Sequence, residues 1–392
     1  MTVVRDTGER ALLPPFTYEH EQLRETIGCW VRKEIVPNLD AWEEAREFPR
    51  ELFDRAGELG FLGLKYREEL GGQGGDYVHD AVWAEELAAA GAGGGVAAGL
   101  GAHTGIATPP IYRFGTPEQH ERFLRPAIRG EKIAALGITE PGAGSDVAGI
   151  NTFARKVDGG YVVNGSKTFI TNGVRADLLV CAVKTTQAGG HDGISFLVLE
   201  REMPGYEVAR KLEKMGWHSS DTGELAFTDV EVPAENLLGE ENQGFKLIMA
   251  NFEWERLLMS LGAVGGMRKL LDVAVSYAKE REAFGRPIGR FQAIRHKLAE
   301  IGVKLEASRA LTYDCLRRFA AGEDATTEVS MAKLLTQRAA VEVADECVQI
   351  FGGYGYMREY GIERALRDAR LGPIGGGTDE IMKEIISRRL GL

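Results

Sequence analysis

The chain has 392 residues and a formal net charge of −11 at pH 7, and 44% of its residues are hydrophobic and 27% charged. This is the composition of an ordinary globular protein, and the length suffices for two or three domains. It excludes nucleic acid as the main partner, because an acidic chain offers no basic stripe to neutralise phosphates, and no apolar run approaches the roughly 20 residues of a membrane span.

Helical periodicity dominates residues 1–133, which are predicted to form an N-terminal helical domain. Apolar residues at helical spacing run over Glu19–Val36, and Pro37 is expected to end that helix. Further helical segments, and a helix start at an N-cap threonine followed by proline, are predicted at 52–62, 80–92 and Thr116.

Strand-like patterns dominate residues 134–240, which are predicted to form the middle domain. Asn-Gly follows an apolar run at Asn164-Gly165 and again at Asn172-Gly173, and this dipeptide is the strongest short-range signal of a hairpin. Further β-rich runs lie at Leu178–Val183, Ile194–Leu199 and Leu225–Val232. We therefore predict a small antiparallel sandwich or barrel.

Residues 241–392 return to helical periodicity, with longer segments. Helices are predicted at about 242–280, 291–320, 326–350 and 379–390. Short polar breaks between long helices are typical of an antiparallel bundle. The order helical, β, helical predicts an α+β fold with segregated domains rather than a parallel βαβ sheet.

The N-terminus and the cysteines indicate the compartment. The segment Met1–Asp6 lacks the apolar stretch of a secretory signal. The four cysteines are far apart and form no Cys-x-x-Cys pair. We therefore expect a cytoplasmic protein with neither a disulfide framework nor a metal site.

Two segments of the middle domain combine residue types that suit a bound cofactor. Residues 139–146, Thr-Glu-Pro-Gly-Ala-Gly-Ser-Asp, place hydroxyls beside glycines whose N–H groups can hold a phosphate or a polar cofactor edge. Phe169 and Thr171 lie two residues apart on one predicted strand and therefore on one face, where the ring can stack on a ligand and the hydroxyl can donate a hydrogen bond. Taken alone, each pattern is more typical of an ordinary turn or a core aromatic.

Together these segments resemble the acyl-CoA dehydrogenase family, over about residues 16–392. Five further stretches carry the resemblance: Glu68-Glu-Leu-Gly-Gly72, Arg281-Glu-Ala-Phe-Gly285, Phe291-Gln292, Gln349-Ile-Phe-Gly-Gly-Tyr-Gly355 and Gly377-Thr-Asp-Glu-Ile381. The resemblance implies an N-terminal helical domain, a middle antiparallel β domain and a C-terminal four-helix bundle. It also implies non-covalently bound FAD and a homotetramer, a dimer of dimers, in which the cofactor lies across a subunit interface.

The family's cofactor contacts carry over by motif match. Contacts to the flavin or its pyrophosphate are implied for Ile138, Thr139 and Ser145. Phe169 would lie against the isoalloxazine ring, and Thr171 would bond near its N5. The adenine and pyrophosphate half, held across the subunit interface, matches Arg281, Phe284, Gln292, Gln349 and Gly353. A further cofactor contact matches Thr378 and Glu380.

The family reaction is the α,β-dehydrogenation of an acyl-CoA thioester to trans-2-enoyl-CoA. A carboxylate removes the α-proton while the β-hydrogen leaves as hydride to flavin N5. Many members carry this glutamate immediately before the Gly-Thr of the C-terminal motif, where this chain has Gly376. A subgroup that includes the isovaleryl-CoA and long-chain enzymes carries it on a bundle helix. There, Glu255 matches the base and Arg256 its neighbouring arginine.

The local pattern agrees with this assignment of the base. Ile248, Phe252, Glu255 and Met259 are spaced four, three and four residues apart, so they share one helix face. A carboxylate on an apolar stripe is costly, and burial is expected to raise its pKa towards neutrality, as a general base requires.

The resemblance places the substrate in the same region. Gly376 and Gly377 leave room for the thioester, whose carbonyl would be held by the backbone N–H of Gly376 and a flavin ribityl hydroxyl. The remaining substrate contacts implied are Ser145, Met249, Phe252 and Arg256.

Three functions stay open at this point. In the first, a dehydrogenase passes its electrons to an electron-transfer flavoprotein. In the second, the chain is an acyl-CoA oxidase, or another flavin oxidase or monooxygenase, on the same fold. In the third, motivated by Gly376, it is a non-catalytic acyl-CoA-binding flavoprotein. The length and branching of the acyl chain are not determined by the sequence.

Overall fold

The computed structural model describes residues 13–186 and 191–392. Its first part is helical, with short 3-10 and π-helical turns between helices α1 (Tyr18–Trp30), α2 (Leu39–Ala45), α3 (Glu51–Glu58), α4 (Tyr77–Ala90), α5 (Gly93–Gly101), α6 (Thr108–Phe114), α7 (Pro117–Gln119) and α8 (Arg125–Ile128). The segment Met1–Asp6, on which the expected cytoplasmic location rests, lies outside the described residues.

Local capping explains where these helices begin and end. The Asp76 carboxylate accepts the N–H of Val78 (2.8 Å), so α4 begins earlier than the predicted position 80. The predicted helix over 52–62 is too long, because Gly60 adopts a left-handed conformation (φ 77°) that ends α3. The predicted N-cap at Thr116 is confirmed, since its hydroxyl accepts the N–H of Gln119 (3.2 Å).

The helix predicted over Glu19–Val36 changes its winding before it ends. As an α-helix it stops at Trp30, and a π-helical turn carries it on to Ile35. Pro37 lies in the 3-10 turn that follows, Val36–Asn38, where a missing backbone N–H costs little.

The middle part is a single eight-stranded sheet within the described residues. Its strands are β1 (Ala134–Gly137), β2 (Phe153–Val157), β3 (Gly160–Thr171), β4 (Leu178–Lys184), β5 (Ile194–Glu200), β6 (Tyr206–Lys211), β7 (Thr222–Pro233) and β8 (Leu237–Leu238). Their order is β6-β7-β3-β2-β4-β5-β8, with β1 beside β4. The expected all-antiparallel pairing is wrong at two places, because β4 runs parallel to both β1 and β2. Intervening strands and loops give these pairs the long connection that parallel pairing requires.

Strand β3 is longer than expected and carries two irregularities. The hairpin predicted at Asn164-Gly165 is wrong: β3 continues through it, and Gly165 (φ 147°) marks a shift in register against β7. The turn lies earlier, at Gly159 (φ 81°), between β2 and β3. The turn predicted at Asn172-Gly173 is confirmed as the end of β3. A second register shift falls between Lys167 and Ile170.

The last part is the predicted helical bundle. Its elements are α9 (Gly244–Glu280), the short strands β9 (Glu282–Ala283) and β10 (Arg286–Pro287), and helices α10 (Gln292–Ala320), α11 (Thr326–Phe351), α12 (Gly353–Tyr356), α13 (Ile362–Ala369) and α14 (Asp379–Arg389). Helices α9, α10, α11 and α14 agree with the four predicted segments, whereas α12 and α13 were not predicted. The domain boundaries at 133/134 and 240/241 stay predictions. Within the described ranges, no helix is both long and apolar enough to cross a membrane.

Helix α9 joins the three parts of the chain. It packs against α10 and α11 of the bundle, against α4 of the first part and against β5 of the sheet. Trp254 and Leu257 on α9 share a buried apolar cluster with Trp83 of α4. Ile248, six residues before Trp254 on the same helix, shares another with Phe196 of β5. The segment between these anchors, which carries Glu255, therefore lies where all three parts meet.

Candidate active site

An exposed aromatic ring marks the second irregularity of β3. Phe169 has a left-handed backbone (φ 59°) and its residue surface is 70% exposed, between buried Thr168 and Ile170. A non-glycine residue in this conformation costs about 1–2 kcal/mol, and such outliers cluster at ligand-binding sites. Thr171, two residues on, is half-buried.

The loop after β1 is fastened to the same stretch of β3. Lys167 is fully buried, and its ammonium donates to the carbonyl of Ile138 (3.1 Å) and to the Glu140 carboxylate (2.7 Å). The N–H of Thr168 donates to the carbonyl of Thr139 (2.9 Å). Three of the predicted cofactor contacts, Ile138, Thr139 and Phe169, are thus brought together, and Ser145 lies exposed further along this loop.

The Glu255 carboxyl lies at the three-way junction, and one of its two oxygens is left unpaired by the described residues. Its Oε2 is buried and accepts no hydrogen bond from the described part of the chain. Burial raises the pKa of Glu255 to about 7, while the positive charges of Arg256 and Lys333 lower it in part. A carboxyl with this pKa exchanges its proton near neutral pH, as a general base must.

A glycine loop lies directly against this carboxyl. Gly376 and Gly377 both have left-handed backbones (φ 62° and 95°). A Cβ placed on Gly376 would lie 3.7 Å from Glu255 Oε1 and 2.6 Å from the sulfur of Met259. A side chain at position 376 is therefore excluded unless Met259 moves, and the structure brings together Glu255 and Gly376, which were both predicted for the site.

Two cations hold the carbonyls of this loop. Arg256 donates from Nε to the carbonyl of Gly376 (3.2 Å), and Lys333 donates from Nζ to the carbonyl of Gly377 (2.5 Å). Sequence reasoning missed Lys333, because a lone lysine in a helical segment is usually solvated. Its apolar flanks, Ala332 and Leu334, were the available signal.

The remaining predicted substrate residues lie on the same helix. The guanidinium of Arg256 lies 5.4 Å from the centre of the half-buried Phe252 ring. Met249, one turn before Phe252 on α9, keeps 40% of its surface exposed.

Two predicted cofactor residues lie at the start of α14. Thr378 follows the glycine loop and caps α14 by accepting the N–H of Ile381 (3.3 Å), and Glu380 is exposed on that helix.

The other predicted cofactor residues form a second, separate group at the far end of the bundle. Arg281, Gln292, Gln349 and Gly353 are exposed there, and Phe284 is 95% exposed with a left-handed backbone (φ 52°). Their contacts stay local: Arg281 lies 5.6 Å from the Tyr354 ring, and Phe284 lies 6.0 Å from the Phe291 ring. The contacts within one chain therefore do not bring all of the predicted cofactor residues together.

One cluster of metal-ligand residue types has a structural explanation. The ligand atoms of His20, Asp76 and His79 lie within 4.8 Å of one another. Each imidazole is the third residue of its helix and bonds back to the residue that caps that helix, Thr17 for α1 and Asp76 for α4. Helix capping accounts for this arrangement.

Family models and relatives match almost the whole chain. The models described as acyl-CoA dehydrogenase N-terminal, middle and C-terminal domains match residues 17–131, 135–230 and 242–391. The mitochondrial long-chain specific acyl-CoA dehydrogenase of Mus musculus is 40% identical over 387 residues, covering 98% of this chain and 89% of the relative. The mitochondrial isovaleryl-CoA dehydrogenase of Oryza sativa subsp. japonica is 40% identical over 377 residues, covering 96% and 92%.

A solved structure extends this similarity to three dimensions. The crystal structure of a probable acyl-CoA dehydrogenase from Mycobacterium abscessus is 49% identical, with a TM-score of 0.93, covering 96% of this chain and 99% of that chain. The expected three-part architecture, enzyme class and FAD cofactor are thereby confirmed. The chain belongs to the acyl-CoA dehydrogenase family, FAD-dependent enzymes that dehydrogenate acyl-CoA thioesters.

Proposed function

We propose that the chain converts a saturated acyl-CoA thioester to trans-2-enoyl-CoA, with Glu255 as the base that removes the α-proton. The observation that carries this proposal is the position of Glu255. Its carboxyl oxygen Oε1 lies 3.7 Å from where a Cβ on Gly376 would stand, so the acid lies against this position of the glycine loop. Many family members carry an acid at position 376, and here the acid reaches the same space from α9.

The environment of Glu255 suits proton abstraction. Burial holds the pKa of Glu255 at about 7, so about half of it is ionised at neutral pH, and the carboxylate is more basic than that of an exposed glutamate. Bound FAD supplies the acceptor for the β-hydride. Arg256 touches the loop carbonyl of Gly376 and not the carboxyl, so we assign it to positioning of the loop.

The residues around β3 fit a flavin. Phe169 offers an exposed ring in a costly conformation, and stacking on a flat aromatic ligand would offset that cost. The loop that contains Thr139 and Ser145 lies beside it, fastened by Lys167. We propose that Ile138, Thr139, Ser145, Phe169 and Thr171 hold the flavin half, with Thr378 and Glu380 as a further contact.

We propose that the second group completes the site of a neighbouring subunit. Arg281, Phe284, Gln292, Gln349 and Gly353 would hold the adenine and pyrophosphate half of a cofactor bound mainly to another copy. The exposed ring of Phe284 on a left-handed backbone (φ 52°) supports this, because such backbone strain clusters at binding sites. A homotetramer built as a dimer of dimers satisfies this requirement.

We further propose that the electrons pass to an electron-transfer flavoprotein.

Anaerobic titration of the purified holoenzyme with saturated acyl-CoAs tests the reaction and its substrate range together. Short, medium, long and branched chains are added separately, and flavin absorbance is followed. We expect bleaching by one chain class. Bleaching by none would overturn the proposal in favour of a binding role, and rapid reoxidation of the bleached flavin by oxygen would favour an oxidase.

Phe169→Gly is expected to separate cofactor binding from folding. The substitution removes the ring that stacks on the flavin, so FAD binding should weaken at least about 10-fold. It also relieves the left-handed strain, so the apoprotein should gain about 1 kcal/mol of unfolding free energy. Equilibrium dialysis of FAD and urea unfolding of the apoprotein measure the two effects.

Phe169→Ala is the matched control, because it removes the ring but keeps the strain. Its FAD binding should fall as in Phe169→Gly, while the apoprotein gains no stability. Retention of FAD with unchanged affinity in both variants would contradict the stacking assignment.

A further inference from the structure

Lys333 is a buried cation whose environment ties it to the glycine loop. It lies on α11 and is fully buried, although lysine is almost never fully buried unless it is paired. Its ammonium donates to the carbonyl of Gly377 at 2.5 Å. The α11 helix therefore contributes a charge to the loop that faces Glu255.

Lys333 and Arg256 act on consecutive peptide groups from two different helices. Arg256 on α9 donates to the carbonyl of Gly376, and Lys333 on α11 donates to the next carbonyl. Both glycines adopt left-handed backbones that other residues rarely reach. Glycine gives this loop many alternative conformations, so these two anchors select one of them.

We propose that Lys333 is a positioning residue for the dehydrogenation. Through the Gly377 carbonyl it fixes the loop that receives the thioester, and its charge keeps Glu255 ionised near neutral pH. This inference rests on the proposed function, because it assigns Lys333 a role towards the same base. Lys333 touches the loop and not the reacting atoms.

The charges around Lys333 make the rate of flavin reduction depend on pH. Burial lowers the pKa of Lys333 to about 8; the carboxylates of Asp379, Glu255 and Glu380 oppose this effect, and Arg256 adds to it. Asp379 is itself paired with Arg338 (2.6 Å). Glu255 must be ionised and Lys333 protonated for full activity. The rate of flavin reduction should therefore rise with pH near 7 and fall again near 8. The two apparent pKa values belong to the coupled pair of Glu255 and Lys333.

Three substitutions separate the hydrogen bond from the charge. Lys333→Met removes both, Lys333→Gln keeps a donor without charge, and Lys333→Arg keeps a charge that does not titrate in this range. Lys304→Met is the control, because Lys304 lies on α10 and pairs with Glu342 away from the loop. Thermal unfolding confirms that each variant is folded.

The kinetic measurement is anaerobic flavin reduction between about pH 6 and pH 9.5, with the acyl-CoA that bleaches the wild type. We expect Lys333→Met to slow reduction by about 10- to 100-fold, and the fall near pH 8 to vanish in all three Lys333 variants. Lys304→Met should keep the wild-type profile. An unchanged fall near pH 8 in Lys333→Met would overturn the inference.

A second measurement does not depend on turnover. The infrared carbonyl band of protonated Glu255, identified by its loss in Glu255→Gln, is titrated in the wild type and in Lys333→Met. Removal of the neighbouring cation should raise the pKa of Glu255 by about one unit. An unmoved band overturns the inference even if the wild type is bleached. A shifted band in an enzyme that no acyl-CoA bleaches upholds the electrostatic link between Lys333 and Glu255 and overturns the proposed function instead.

Discussion

Glu255→Gln is expected to slow flavin reduction by acyl-CoA by about 10²–10⁴-fold, the usual contribution of a positioned general base. Glutamine has the same shape but takes no proton, so FAD content and assembly should stay at wild-type levels. Stopped-flow reduction under anaerobic conditions measures the rate, and the flavin-to-protein absorbance ratio measures the FAD content.

Glu253→Gln is the matched control for this prediction. Glu253 lies two residues away on α9, and burial raises its pKa too, but it points off the apolar stripe that carries Glu255. Its variant should reduce flavin within a few-fold of the wild type. Wild-type rates in Glu255→Gln, or equal losses in both variants, would contradict the assignment of the base.

Glu255→Gln should also change the pH dependence of the free energy of unfolding. Glu255 has a pKa near 7 in the folded chain, above the 4.5 of an exposed glutamate, so its contribution to stability is complete below about pH 4.5. That contribution is lost as the pH rises through 7, because the unfolded chain ionises more easily. Glu255→Gln should therefore be the more stable protein above pH 7, by up to about 3 kcal/mol.

Lys167→Met is expected to lower the free energy of unfolding by about 3–5 kcal/mol, the usual effect of leaving one member of a buried ion pair alone. Lys167 and its partner Glu140 are both buried. Glu140 also accepts the N–H groups of Asn151 (2.5 Å) and Thr152 (3.0 Å). Loss of Lys167 also frees the carbonyl of Ile138, so FAD binding should weaken with the loop. Urea unfolding and FAD dialysis measure both effects.

An exposed pair in the same sheet provides the control. Lys156 on β2 pairs with Glu241 (2.6 Å) and its side chain is 67% exposed, so Lys156→Met should cost less than about 1 kcal/mol. Adding Glu140→Gln to Lys167→Met should recover part of the loss, because the lone buried charge disappears. A loss below 1 kcal/mol in Lys167→Met would show that the pair does not stabilise the loop.

The elements that could be predicted are those with strong local signals. The three long bundle helices α9, α10 and α11 carry helical periodicity over many turns. Strands β4 and β5 are mostly apolar runs, so tertiary packing only reinforces them. Asn164-Gly165 was predicted wrongly, because the same dipeptide serves a hairpin or a bulge, and pairing of β3 with β7 selected the bulge. Strand β6 was missed because it is half polar and lies at the edge of the sheet.

Some residues of the candidate site could be predicted from the sequence, and others could not. Glu255 was predicted as the base from the resemblance to the subgroup that carries this glutamate on a bundle helix, and its apolar stripe and the missing acid at position 376 agree with that prediction. The left-handed backbone of Phe169 has no local signal, since phenylalanine does not prefer that conformation. Lys333 becomes recognisable as part of the site after folding, when α11 packs against α9 and its ammonium meets the Gly377 carbonyl.

The length of α9 sets the distance between the two groups of predicted cofactor residues within one chain. Glu255 and Arg281 are separated by the remainder of one continuous helix, about 39 Å at 1.5 Å per residue, which is longer than FAD. The two groups of a single chain would then serve different flavins, and each flavin in the proposed tetramer would lie between two copies. An isolated subunit would hold its base and its stacking ring but only one end of its coenzyme. Catalytic activity would thus be a property of the assembly, and the subunit concentration would govern the fraction of the enzyme that holds bound FAD.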